Sequence, residues 1–79
     1  MDTLEQARAE IDAVDAQLAA LFERRMKAVL SVAEYKKAHG LPIFDAAREA
    51  VVLEKAAARI RNAALRPYYK DHVQHMMDI

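Results

Sequence analysis

The sequence predicts an all-α fold of three helices, one of them very long, and three observations carry that prediction. From Leu4 to Lys37, apolar or alanine residues recur in steps of three and four: Leu4, Ala7, Ile11, Val14, Leu18, Leu21, Ala28, Val32 and Tyr35. No proline or glycine interrupts them. The 79 residues include one glycine and two prolines, too few to punctuate many turns. The β-branched residues are scattered and never alternate, so no stretch reads as a strand.

Length and composition bound the rest. A chain of this size makes one small domain, residues 1–79. Twelve basic and twelve acidic residues cancel, whereas a nucleic-acid module would show a basic excess, so no nucleic-acid partner is expected. The chain has no cysteine, which removes disulfides and thiol chemistry. The N-terminus lacks an apolar signal core and no apolar run reaches the length of a membrane span, so the expectation is a cytoplasmic chain with no membrane partner. A helix of about 34 residues is about 50 Å long, against roughly 30 Å for the diameter of a compact globule of this size. Part of its stripe would overhang a monomeric core. An intertwined two-fold homodimer in which the long helices share their seams is the expected remedy.

Taken in order, Asp2 and Thr3 are the candidate N-caps of the first helix, with Thr3 and Gln6 spaced as a capping box. Lys36 and Lys37 suit its C-terminal dipole, and Gly40 suits the left-handed residue that ends it. Pro42 keeps Leu41–Phe44 extended. Asp45 caps the second helix, whose apolar row is Ala46, Ala50, Leu53, Ala57, Ile60 and Ala64. The exit is expected within Arg61–Leu65. Pro67 suits the first turn of a third helix that presents Tyr69, Val73, Met76 and Met77 to the core. That helix meets no stop signal before Ile79, so its C-terminal end is expected to be missing.

Candidate chemistry lies where the first helix breaks its own pattern. Arg25 stands at a seam position, and Lys36 points within about 20° of it at 100° per residue. Arg8 lies at the edge of the same face. A single cation there would snorkel to water or pair with an acid, but two, with a third beside them, predict an anion site in a bundle core. Asp45, Arg48 and Glu49 form a second cluster, sharing one face of the first turn of the second helix. Capping plus a local ion pair explains most of it, though not a cation at a positive helix end. His72 and His75 are spaced to chelate a metal but lack partners, and with His39 they read as exposed, so no metal site is expected. Tyr68 and Tyr69 read as rim and core.

These residues together resemble the small all-helical chorismate mutases of the AroQ class. The matching features are Arg8 followed by Ile11-Asp12 and Val14-Asp15, then Leu18 through Glu23-Arg24-Arg25, then Lys36, then Asp45-x-x-Arg48-Glu49. The likeness covers nearly the whole chain. It implies an intertwined homodimer with two equivalent sites, each taking Arg8 from one protomer and most other residues from its partner. It further implies that Arg8 and Arg25 clamp the carboxylates of chorismate and that Lys36 donates to the ether oxygen. Asp45 and Glu49 would receive the ring hydroxyl or orient the cations, and Arg48 would lie near a carboxylate. The implied reaction, a pericyclic rearrangement to prephenate in aromatic amino-acid biosynthesis, needs no cofactor and no metal. The family also uses a serine and a glutamine from further along the third helix, both falling beyond Ile79; Gln74 lies too early to be that glutamine. Weak activity at best is therefore expected of the 79-residue chain, and a fusion to another aromatic-pathway enzyme is compatible with the family. Two alternatives share the scaffold: an isochorismate pyruvate-lyase, and a non-catalytic or regulatory helical dimer.

Overall fold

The computed structural model describes residues 2–79 and bears out the all-α expectation. Helix α1 spans Thr3–Ala38, α2 spans Ala46–Arg59, a 3-10 turn covers Ala63–Leu65, and α3 spans Arg66–Asp78. Among the described residues there is no strand. The elements group into two compact units, Met1–Ile43 and Phe44–Ile79.

The first unit is α1 and the extended segment that follows it. Asp2 is the N-cap: its Oδ1 accepts the Leu4 N–H at 3.1 Å and its carbonyl accepts the Gln6 N–H at 3.0 Å. Thr3 is already helical, so the expected Thr3–Gln6 capping box does not form. A carboxylate at the positive helix end is the stronger cap. At 36 residues the helix is about 54 Å long. It buries none of its residues, and Leu4, Ile11, Leu18 and Leu21 of the stripe are each more than half exposed.

Its C-terminus is a complete Schellman motif. Gly40 adopts φ 65°, the Leu41 N–H donates to the Lys36 carbonyl at 2.8 Å, and the Gly40 N–H donates to the Lys37 carbonyl at 3.4 Å. His39 Nδ1 donates to the Tyr35 carbonyl at 2.9 Å, and the two rings stack with centroids 4.1 Å apart. Nothing lies within 4 Å of a Cβ added at Gly40. Gly40→Ala should therefore cost only the left-handed backbone penalty, about 1–2 kcal/mol. Thermal unfolding should show a Tm lower by several degrees with an unchanged helical spectrum.

In the second unit α2 packs on α3, with Ala56 (2% exposed) and Val73 (4%) at the centre of the contact. Alanine at the crossing lets the two backbones approach closely. The buried face of α2 differs from the expected row. Ala46 and Ala50 are exposed, whereas Leu53, Ala57 and Ile60 of the expected row are half-buried around Ala56 together with Glu49 and Val52. The face is turned by roughly 60° from the expected one, and it runs through Glu49. The helix also ends a turn early. Ile60 leaves the helical region at ψ 117°, its carbonyl accepts from Arg66 Nε at 2.9 Å, and Asn62 Oδ1 accepts the Ala64 N–H at 3.1 Å to start the 3-10 turn. Ile60 and Ala64, placed in the α2 row from sequence, thus lie beyond it. Pro67 sits in the first turn of α3 as expected; Val73 is buried there, and Tyr69, Lys70, Gln74, Met76 and Met77 are half-buried.

Candidate functional site

Charge is cheap at the surface and costly once water is removed, so the charged side chains that are not exposed are the informative ones. Among the described residues there are four: Arg25, Lys36, Glu49 and Lys70. The first three are among the six residues that the family resemblance places at the substrate. Arg8, Asp45 and Arg48 are exposed.

On α1, Arg25 and Lys36 lie eleven positions apart, three turns and about 16 Å along the axis, and nearly in line. Two long side chains at that separation can lean toward one small dianion between them. Lys36 does not reach freely into water, and among the described residues it meets no acid. Its ammonium donates to the Ile43 carbonyl at 3.0 Å, leaving two of its three N–H donors for other acceptors. Around it Leu30, Ala33, Leu41 and Ile43, with Glu34 and Lys37 among them, line an open, mostly apolar groove of about 500 Å³. A cation at the wall of an apolar groove suits an anionic ligand with a hydrocarbon body. Arg8 is on the same helix but about 42 Å from Lys36 along its axis. One chain does not bring these two together.

The first turn of α2 carries the second cluster. Asp45 is the N-cap, its Oδ1 accepting the Arg48 N–H at 3.0 Å and its carbonyl accepting the Glu49 N–H at 3.0 Å. The capping role expected of Asp45 is thus present, and Arg48 enters the cap through its backbone. Glu49 is turned toward the α2–α3 contact, where its Oε1 accepts from Gln74 Nε2 at 3.1 Å. The same amide nitrogen donates to Asp78 Oδ1 at 3.0 Å. Neither Ile43 nor Gln74 was singled out for such a role by sequence, because no local spacing encodes either contact. His39, His72 and His75 are exposed, and Tyr69 is half-buried beside the 75% exposed Tyr68. Among the described residues no group of three His, Cys, Asp or Glu side chains is placed to hold a metal ion.

A long helix with cations on its apolar face is thus followed by a helix whose first turn carries Asp45, Arg48 and Glu49. Residues 7–79 match the family of chorismate mutase type II. The chain belongs to that family. It is 35% identical over 65 residues to the T-protein of Haemophilus influenzae, covering 82% of this chain and 17% of that protein. It is 37% identical over 54 residues to the 4-amino-4-deoxychorismate mutase of Streptomyces venezuelae, covering 68% of this chain and 52% of that protein. The chain therefore spans about half the length, or less, of these curated relatives. No solved structure matches it significantly.

Proposed function

We propose that this domain binds chorismate and rearranges it to prephenate, an isomerase step of aromatic amino-acid biosynthesis. The observation that carries the reading is the coincidence of burial and expectation: Arg25, Lys36 and Glu49, three of the six residues expected at the substrate, are three of the four charged side chains that are not exposed among the described residues. Membership in the chorismate mutase type II family over residues 7–79 supports it.

The chemistry asks little of a protein beyond geometry and charge. A pericyclic rearrangement breaks a carbon–oxygen bond and forms a carbon–carbon bond within one molecule, without nucleophile or proton transfer. The protein's part is to hold the compact conformer and to stabilise charge that grows on the ether oxygen. Arg25 engages a carboxylate with the planar fork of its guanidinium. Lys36, already oriented by the Ile43 carbonyl, directs a remaining N–H to the ether oxygen. Glu49 accepts the ring hydroxyl, with Asp45 and Arg48 beside it on the same turn.

Arg8 completes the site only in a dimer. Its distance from Lys36 along a single rigid helix, about 42 Å, is many times the span of the substrate, so a second copy must supply it. The fully unburied α1 stripe offers the surface for that pairing. Leu18→Glu, which places a charge in the stripe, should convert a dimer of two chains into a single chain of lower helicity. Sedimentation and circular dichroism read both effects; an unchanged sedimentation coefficient would remove α1 from the interface.

A second reading concerns the substituent that Glu49 meets. The Streptomyces relative is named for 4-amino-4-deoxychorismate, and two carboxylates in one helical turn, Asp45 and Glu49, could hold an ammonium in place of a hydroxyl. Turnover of the two substrates measured side by side decides between them. A higher kcat/KM for the amino compound would move the assignment. Release of pyruvate from isochorismate instead would assign the domain to lyase chemistry.

A further inference from the structure

We propose that Gln74 is a positioning residue for Glu49, an inference that deepens the reading above and rests on it. Gln74 lies on α3, 25 residues from Glu49, and the two side chains meet in the part-buried contact between α2 and α3. One amide nitrogen donates both of its N–H groups to carboxylates, to Glu49 Oε1 at 3.1 Å and to Asp78 Oδ1 at 3.0 Å. Two carboxylate partners also settle which way the amide faces, since its oxygen would be repelled by both.

The arrangement has a direction. Asp78 is four residues from Gln74 on the same helix, so it clips the amide in place locally. The clipped amide then reaches across to the second helix and holds Glu49 by one oxygen. A glutamate has three rotatable bonds, and a free one at a helix start would sample several rotamers. With Oε1 held by Gln74, the ligand's hydroxyl is assigned to Oε2. Holding that oxygen still before the ligand arrives removes an ordering cost from binding and from the reacting geometry. Apolar residues at position 74 would fill the same volume between α2 and α3 but could not do this.

The test is a double-mutant cycle in chorismate kinetics with Gln74→Leu, Glu49→Ala and the pair. Leucine keeps the apolar packing and removes the donor. Gln74→Leu should lower kcat/KM about tenfold, the scale of one lost hydrogen bond to a charged group, and should lower it no further once Glu49 is alanine. A purely structural Gln74 would cost the same in both backgrounds, and that result overturns the proposal. A second readout does not depend on the folding of any position-74 variant. The side-chain amide resonances of Gln74, followed by 15N NMR, should move clearly in Glu49→Ala; unmoved resonances overturn the contact itself. An inert wild-type chain defeats the mutase reading, and the positioning role with it. An active wild type with additive losses defeats the positioning role alone.

Discussion

Replacing Arg25 with alanine should lower kcat/KM for chorismate about 100- to 1,000-fold, the range for removing one preorganised charged donor from an active site. Arg25 is a seam position of α1 occupied by a cation and is half-buried, so part of its side chain is withdrawn from water before any ligand binds. That desolvation has a cost which an apolar residue would avoid. A dicarboxylate arriving beside it converts the cost into a bidentate, charge-assisted contact stronger than the same contact in water. The alanine variant should keep its helicity and its oligomeric state, because the residue removed interrupts the apolar stripe and does not belong to it. A variant that is inactive because it has come apart would show as lost ellipticity and a smaller sedimentation coefficient. An Arg25→Ala protein that is folded and fully active would show that this cation serves the helix alone.

Lys36→Met has the second largest expected effect, and it should fall on kcat. The ether oxygen carries little charge in bound substrate and gains it as the carbon–oxygen bond lengthens. A donor aimed there is therefore felt mainly in the transition state. Loss of kcat by about 100-fold with KM changed by only a few-fold is the expected pattern. Methionine keeps most of the length of the lysine stem at the wall of the groove that Leu41 and Ile43 also line. It also releases the Ile43 carbonyl, which is exposed enough to take water instead. Arginine should rescue poorly, because a planar fork held at Ile43 does not leave one compact donor free to turn toward the ether oxygen. A variant in which KM rises and kcat stands would reassign Lys36 to carboxylate binding.

Much of this architecture was legible in the sequence because it is encoded locally. The extent of α1 follows from periodicity and the lack of breakers, and its end follows from Gly40, whose φ of 65° only glycine adopts at little cost. Asp45 was readable as a cap for the same reason. The exit from α2 was readable to within Arg61–Leu65, but the residue at which the helix stops, Arg59, was not. Lys55-Ala56-Ala57-Ala58-Arg59 is a run of strong helix formers, and nothing in it announces a stop. The helix yields at the next residue, Ile60, to contacts between Arg66 and Ile60 and between Asn62 and Ala64.

The same division holds for the site. Arg25, Lys36 and Glu49 stood out because a charge in an apolar row is visible in one dimension. Their supports did not, because Lys36 meets a backbone carbonyl seven residues on, and Glu49 meets Gln74 across 25 residues. The turn of the α2 face toward Glu49 has the same origin. Alanines at Ala46, Ala50 and Ala57 look apolar in sequence but contribute little area, so they do not decide which side packs. Val52, Leu53 and the α3 residue Val73 decide it.

The central claim is that cations on the apolar face of α1 serve a small dianion in the act of rearranging. The most direct measurement is the decay of chorismate absorbance with the wild-type chain and with Arg25→Ala, both first shown to be helical and of the same oligomeric state. The account predicts a decay that exceeds the uncatalysed rate, saturates with chorismate, yields prephenate, and falls to near background in the variant. A decay indistinguishable from the uncatalysed rate with both proteins, folded and at every chorismate concentration, would contradict it.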